Sequence, residues 1–184
     1  NMKLMKKIGV GCDDYGAVGT VVYVAVDRVY AGCIVISDEI KENSEKALKK
    51  LDRLDVNRKI MLTGDRKEVA CDVGKKIGTD EVYSELLPDD KVSYAEKFMK
   101  EKSKDKTLVF VGDGINDAPV LTLSDVGIAM GKLGSDAAIE AADVVITDDN
   151  PLKIPLAVKL SKKTMGIVMQ NIVFALVVKG IIMV

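Results

Sequence analysis

The string Thr107–Val111 (TLVFV) stands directly before Gly112–Asp117 (GDGIND). β-Branched and aromatic residues bounded by glycine predict a short strand that ends in a loop. Asp117 occupies the place of the third glycine in a dinucleotide fingerprint, and two carboxylates would repel a bare pyrophosphate. Asp113 and Asp117 can instead converge on one Mg²⁺, while the adjacent glycines leave room for phosphate oxygens. The structural alternative is a plain turn followed by a helix cap.

Composition narrows the chemistry that the chain can perform. Its 184 residues include 27 Lys and Arg, 28 Asp and Glu, 3 Cys, and no His or Trp. Without histidine, Ser-His and Cys-His nucleophiles and imidazole metal sites are excluded. The formal net charge of −1 offers no basic surface for nucleic acid. The remaining chemistry must come from carboxylates, lysines, hydroxyls and a hard cation bound through oxygen.

The patterning predicts an α/β fold. A β-hairpin is expected over Thr20–Val26 and Val29–Ile36, and from Asp38 onward helices alternate with strands. The predicted helices are Asn43–Leu54, a helix that follows the loop Thr63–Asp65 and ends at about Lys76, and Pro88 to about Lys102; the predicted strands are Lys59–Leu62, Glu81–Ser84, Thr107–Val111, Val126–Met130 and Asp143–Thr147. This rhythm predicts a parallel sheet with helices on both faces, whose ligands bind beyond the carboxyl ends of the strands.

Two further stretches carry polar groups suited to phosphate. Thr63-Gly64-Asp65 follows a predicted strand, where a hydroxyl and backbone N–H groups suit a transferred phosphoryl group, although an ordinary N-cap would look the same. Lys91 lies in the first turn of a predicted helix, where a cation opposes the helix dipole. A lysine aimed at phosphate would explain that position, and a solvated surface lysine is the alternative.

The C-terminus changes character from Ile167 onward, where nearly all residues are apolar. The 13 residues after Asn171 would form a helix of about 20 Å, which is shorter than the ~30 Å core of a bilayer. The stretch is either a buried C-terminal helix or a membrane helix cut short by the end of the chain. Lys179 bears on this choice, because placing a lysine at the centre of a helix in lipid costs roughly 2.5–3.5 kcal/mol of insertion free energy.

Together these strings resemble the haloacid-dehalogenase-like superfamily, and in detail the phosphorylation domain of heavy-metal-transporting P-type ATPases. The matching strings are Asn1-x-x-Leu4-Met5, Gly9-Val10, Ser37-Asp38-x-Ile40-Lys41, Met61–Asp65, Leu87-Pro88-x-x-Lys91, Val111–Leu121, Asp125–Gly131, Gly134–Asp136 and Gln170–Ile172. The resemblance implies a Rossmann-like parallel sheet with helices on both faces, preceded by a β-hairpin remnant and followed by a truncated apolar helix. It implies three parts: residues 1–37 from the end of a nucleotide-binding domain, 38–160 from the phosphorylation domain, and 161–184 from a membrane helix.

The resemblance also implies roles for individual residues. Thr63, Gly64, Asp65 and Lys91 would contact phosphate, Asp113 would bind Mg²⁺, and Asn116 and Asp117 would hold the metal and phosphate arrangement, with Asn1 at the nucleotide-binding end. In that family an aspartate in an Asp-Lys-Thr-Gly-Thr string takes the γ-phosphoryl group of ATP. This chain has no such string, and Cys12-Asp13-Asp14 is only a faint substitute. We therefore expect this chain to be a fragment of a longer protein, with the nucleophile in a part of that protein outside the fragment.

The expected function is that of a fragment of an ATP-driven exporter of Zn²⁺, Cd²⁺ or Pb²⁺. ATP and Mg²⁺ would be its cofactors, and the full protein would cross the cell membrane with this portion in the cytoplasm, in contact with lipid but not with nucleic acid. Lys179 would act as a counter-ion at the transport site, unless it snorkels to the interface. The alternatives are a soluble phosphatase of the same superfamily and a non-catalytic module that binds Mg²⁺ or a nucleotide.

Overall fold

The computed structural model describes residues 2–11, 20–36, 39–112, 115–131 and 136–183. The chain divides into two compact units, Asn1–Ile40 and Lys41–Val184. The predicted positions Asn1, Asp113 and the string Cys12-Asp13-Asp14 lie outside the described residues.

The first unit is built on the predicted hairpin. Strands β1 (Thr20–Val26) and β2 (Val29–Ile36) pair antiparallel. Asp27 and Arg28 at the turn both have positive φ, as a two-residue type I′ hairpin turn requires. A short helix that the sequence did not predict, α1 (Met2–Lys7), contributes Met5 to a small core with Tyr23. The hairpin prediction is thus confirmed residue for residue.

The second unit alternates strands and helices as predicted. Its strands are β3 (Ile60–Leu62), β4 (Glu81–Tyr83), β5 (Val109–Gly112), β6 (Val126–Met130) and β7 (Val144–Ile146), and its helices are α2 (Ser44–Asp52), α3 (Lys67–Ile77), α4 (Pro88–Glu101), α5 (Ala118–Leu123), α6 (Asp136–Ala141) and α7 (Lys153–Met183). A 3₁₀ turn, Ile115–Asp117, precedes α5. The α/β class is confirmed; the sequence did not predict the short helices α5 and α6.

All strands of this unit pair in parallel, in two groups. β3 pairs with β4, and β5, β6 and β7 form a three-stranded sheet in that order. Within the described residues, β3 and β5 each have a strand partner on one side only. On one face of β5, Val109 and Val111 remain 40% and 37% exposed. The edge strands β3 and β5 are the ones that lead into the predicted site loops.

The core of this unit surrounds β6. Ala129 packs with Leu121 and Ala138 on one side, while Ile128 and Met130 pack with Ile146 on the other. Neighbouring residues of a strand face opposite ways, so β6 is covered on both faces. Gly127 is required here, because a Cβ at that position would lie 2.7 Å from the carbonyl oxygen of Leu121. This close approach holds α5, and the loop before it, against the sheet.

Helix α7 carries the apolar C-terminal stretch. It is 31 residues long, which corresponds to about 46 Å. The first turns of α7 pack against α2, and Pro155 is buried there. The most apolar 18-residue window of the helix has a mean hydropathy of 2.0, and none of it is buried. Within the described chain α7 is therefore not a buried core helix. By length and composition α7 is able to cross a membrane.

An aromatic and ionic cluster ties β4 to the residues that precede β3. The guanidinium of Arg58 donates two hydrogen bonds to the Glu81 carboxylate, at 2.5 and 2.8 Å, and lies 5.1 Å from the centre of the Phe98 ring. The Tyr83 hydroxyl donates to Glu81 at 2.8 Å, and the Tyr83 ring contacts Tyr94. The hydrogen bonds from Arg58, and then from Tyr83, lower the pKa of Glu81 to about 2.

This cluster predicts a pH dependence of stability. Because the folded-state pKa of Glu81 lies below its ordinary value of 4.5, its contribution is present above that pH and is lost as the pH falls towards about 2. We expect Glu81→Gln to reduce the slope of the unfolding free energy against pH in this window, as measured by urea unfolding. Arg58→Gln removes the partner that lowers the pKa, so it should move the Glu81 titration in ¹³C NMR upward. An unchanged titration in Arg58→Gln would contradict this account.

Candidate functional site

Three loops that follow strands carry the predicted site residues or lead into the helix that carries Lys91. Thr63–Asp65 follows β3, Ser84–Leu87 follows β4, and residues 113–117 follow β5. Parallel strands put their carboxyl ends at the same edge of a sheet, so β3 and β4 place their loops side by side. The contacts described next join all three loops.

The Thr63 loop is a tight turn held by its own side chains. The Thr63 hydroxyl donates to a carboxylate oxygen of Asp65 at 2.7 Å and accepts from the Asp65 backbone N–H at 3.1 Å. Thr63 is half-buried and Asp65 is exposed. The ordinary N-cap alternative is wrong, since the N-cap of α3 is Arg66 and no side chain caps that helix. The hydroxyl and the carboxylate therefore stand at the strand end without serving the helix.

Backbone hydrogen bonds join this loop to the next one. The Leu86 N–H donates to the Thr63 carbonyl at 3.1 Å, and the Glu85 N–H donates to the Asp65 carbonyl at 2.9 Å. Gly64 lies so close that a Cβ there would be 3.2 Å from the Leu86 carbonyl oxygen. Helix α4 begins two residues after Leu86, at Pro88, so the same loop sets the position of the helix that carries Lys91.

Lys91 and Asp117 meet between α4 and the turn before α5. The Lys91 amine donates to a carboxylate oxygen of Asp117 at 2.9 Å, and the two side chains are only 20% and 12% exposed. A cation in the first turn of a helix is disfavoured by the helix dipole, and the Asp117 carboxylate offsets this cost. Lys91 is thus not the solvated surface lysine of the structural alternative.

Gly112 lies against the Asp117 carboxylate from the other side. A Cβ at Gly112 would lie 2.8 Å from the Asp117 Cβ and 2.9 Å from its Oδ2. A side chain at this position would displace the carboxylate. The sequence predicts phosphate clearance at the glycines beside Asp113 but gives no sign of this contact. Gly112 and Asp117 are five residues apart and meet only because the chain folds back through the 3₁₀ turn.

The oxygen donors here fit Mg²⁺. Asp117 offers a carboxylate held between Lys91 and Gly112, and the neighbouring Asn116 is exposed. Mg²⁺ is commonly bound through one or two carboxylates, with phosphate oxygens and water completing the octahedron. The described residues contain no cluster of three or more Asp, Glu, Cys or His side chains able to hold a metal. An Mg²⁺ ion at Asp117 would therefore need phosphate oxygens and water to complete its coordination.

Lys179 is separate from this arrangement. It lies near the C-terminal end of α7, is exposed among apolar neighbours such as Leu176 and Ile182, and forms no ion pair with any residue in the described part of the chain. Its position is that of a lone charge within the apolar part, from Ile167 onward, of a helix long enough to cross a membrane.

Comparison with known proteins gives a consistent result. The family model described as hydrolase, haloacid dehalogenase-like hydrolase, matches residues 2–124. The cadmium, zinc and cobalt-transporting ATPase of Bacillus subtilis (strain 168) is 50% identical over 184 residues, which is 100% of this chain and 26% of that protein. The zinc-transporting ATPase of Synechocystis sp. (strain ATCC 27184 / PCC 6803 / Kazusa) is 49% identical over 98% of this chain and 25% of its own length.

The fold is shared as well. The crystal structure of a zinc-transporting PIB-type ATPase in the E2.Pi state superposes with a TM-score of 0.75 at 32% identity, over 98% of this chain and 27% of that one. The chain spans about a quarter of the length of the curated relatives it matches. The resemblance to heavy-metal-transporting P-type ATPases seen in the sequence is confirmed by these matches. On the match over residues 2–124 and the site geometry, the chain belongs to the haloacid dehalogenase-like hydrolase family.

Proposed function

We propose that this chain supplies the Mg²⁺- and phosphate-contacting part of the phosphorylation site of an ATP-driven exporter of Zn²⁺, Cd²⁺ or Pb²⁺. The observation that carries the proposal is the Lys91–Asp117 ion pair, joined through the Ser84–Leu87 loop to the Thr63 turn. Its relatives are cadmium- and zinc-transporting ATPases. The full protein would lie in the cell membrane, with this portion facing the cytoplasm.

Each side chain has a physical task in this proposal. The Lys91 amine offsets the charge that develops on the transferred phosphoryl group, and the Thr63 hydroxyl and Gly64 N–H orient its oxygens. Asp117, with Asp113 and Asn116, holds Mg²⁺. Mg²⁺ would supply charge neutralisation between the phosphate oxygens and these carboxylates. Asp65 accepts the Thr63 hydrogen bond and so sets the orientation of the hydroxyl.

The unpaired edges of β3 and β5 favour a nucleophile that is carried by a further strand outside this chain. No Asp-Lys-Thr-Gly-Thr string occurs in the sequence. In the described structure β3 and β5 each have one side unpaired, and Val109 and Val111 of β5 are partly exposed. A strand that carries the phosphorylated aspartate could pair between these edges. Its C-terminal end would then lie beside Thr63 and the carboxyl end of β5.

The ion pair predicts opposite effects of one substitution on two ligands. Lys91→Gln removes a cation 2.9 Å from Asp117, so Mg²⁺ affinity of the 184-residue chain should rise roughly fivefold, equivalent to about 1 kcal/mol for a pair near the surface. Orthophosphate affinity in the presence of Mg²⁺ should fall, because the phosphate loses its cation. Isothermal titration calorimetry measures both constants.

Matched controls define this experiment. Lys97→Gln removes the same charge from an exposed position on the same helix and should change neither constant. Asp117→Asn should abolish Mg²⁺ binding. Parallel changes of Mg²⁺ and phosphate affinity in Lys91→Gln would contradict the assignment of Lys91 to phosphate.

A chimera tests the function as a whole. The chain aligns with 184 residues of the Bacillus subtilis ATPase and can replace them there. We expect the chimera to form an acid-stable phosphoenzyme from [γ-³²P]ATP and to restore cadmium and zinc resistance to a sensitive strain. Asp117→Asn in the chimera should reduce phosphoenzyme at least about tenfold, the size expected from loss of a group that holds the metal.

The isolated chain provides the complementary result. Because it has no Asp-Lys-Thr-Gly-Thr string, it should acquire no acid-stable label under the same conditions. Label on an aspartate of the isolated chain would support the alternative of a self-sufficient phosphatase. A chimera that reaches the membrane at normal abundance but remains inert would overturn the proposal. Helix α7, with its unburied apolar surface, disfavours a soluble phosphatase.

Lys179 is proposed as a counter-ion at the transport site. Placing the lysine ammonium on a membrane helix costs free energy. Its charge would have a use if the ammonium occupied the divalent-ion site after the metal ion has been released. Lys179→Ala in the chimera should lower zinc-dependent ATP turnover several-fold, whereas Lys163→Ala, near the start of the apolar stretch, should not. Unchanged turnover in Lys179→Ala would instead assign this lysine to snorkelling.

A further inference from the structure

A groove of about 310 Å³ lies between the C-terminal end of α2 and the first turns of α7. Lys50, Arg53 and Lys159 line it together with the apolar side chains of Leu54 and Leu156 and the buried ring of Pro155. Its volume is at the lower end of the range for small-ligand sites. The groove therefore combines a partly apolar lining with cations from two helices.

The positive charge in this groove is uncompensated. Lys50, Arg53 and Lys159 are exposed, and none of them forms an ion pair within the described part of the chain. The nearest acidic residues in sequence are Asp52 and Asp55, and both have partners elsewhere: Asp52 pairs with Lys59, and Asp55 with Lys162 at 3.3 Å. An anion in the groove would meet three cations and no carboxylate among the lining residues.

The two walls are tied together by Lys162. Its amine donates to the Leu54 carbonyl, just beyond the end of α2, and to the Asp55 carboxylate at 3.3 Å. Leu54 also donates its backbone N–H to Leu51 at 2.9 Å, so the end of α2 is held from both sides. Lys162 therefore links the two helices that line the groove.

The groove lies close to where α7 becomes continuously apolar. Lys159 precedes Ile167 by eight residues, which is about 12 Å along the helix. The headgroup layer adds roughly 5–8 Å on each side of a bilayer core, and long lysine and arginine side chains extend several ångströms further. If α7 enters the membrane near Ile167, the groove cations are within reach of lipid phosphates.

We propose that this groove binds the phosphate of an anionic phospholipid and so anchors the second unit at the membrane surface. The inference rests on the proposed membrane placement of α7. The chain carries a formal net charge of −1, so its surface as a whole does not attract long polyanions, and a single headgroup matches the size of the groove. The apolar lining suits the glycerol and first methylenes of the lipid.

The test compares partitioning of the 184-residue chain into two kinds of vesicle. One is pure phosphatidylcholine, and the other is an equimolar mixture of phosphatidylcholine and phosphatidylglycerol. The anionic vesicles should be preferred, with a strong salt dependence, and a Lys50→Gln, Arg53→Gln, Lys159→Gln triple variant should lose roughly fivefold of that preference per cation. Circular dichroism would establish that the variant is folded.

A control triple removes equal charge at a distance. Lys75→Gln, Lys100→Gln, Lys104→Gln changes exposed lysines on α3, α4 and the following turn, and should retain the preference to within about twofold. If both triple variants lost the preference for anionic vesicles equally, or if the wild type showed no such preference, the groove would not be a phospholipid site. The assignment of α7 as a membrane helix would be unaffected by that result. Failure to bind either vesicle would overturn α7 as a membrane segment and the inference with it. Micromolar binding of free glycerol 3-phosphate in the absence of vesicles, together with an unchanged vesicle preference in the groove triple variant, would assign the groove to free phosphate and overturn the lipid proposal.

Discussion

The partly buried ion pair between Lys91 and Asp117 is the contact on which the site depends. It joins the N-terminal turn of α4 to the turn before α5, and therefore joins the β3–β4 pair to the three-stranded sheet. The geometry is unfavourable for the lysine unless an anion lies opposite, because the helix dipole opposes a cation there. Asp117 supplies that anion in this structure, and a phosphate could share the role during transfer.

This arrangement explains why the family resemblance extends beyond the fold. Gly112 clears space for the Asp117 carboxylate, and Gly64 lets the Thr63 turn approach the Leu86 carbonyl. Each glycine lies beside a polar group that the proposed chemistry uses. Helix α7 runs without interruption from its packing against α2 into the apolar segment that carries Lys179.

Much of the fold could be predicted from local pattern. The bounds of the hairpin follow from the sequence because Asp27 and Arg28 separate two β-branched runs. The start of α4 follows from Pro88 and the acidic residues after it, which mark a helix start. Helices α5 and α6 were missed, since each has six residues and shows too few turns for a periodicity. The short helix α1 was missed for the same reason.

By itself, the sequence determined the α/β class, the types of group at the site, and the exclusion of histidine chemistry, because these follow from residue identity and local spacing. Tertiary structure alone decided which oppositely charged groups meet: Lys91 and Asp117 are 26 residues apart, and Lys162 reaches Asp55 across 107 residues. It also decided that the apolar surface of α7 is left uncovered. Such contacts depend on how whole elements pack against one another, and that information is not contained in any short stretch of sequence.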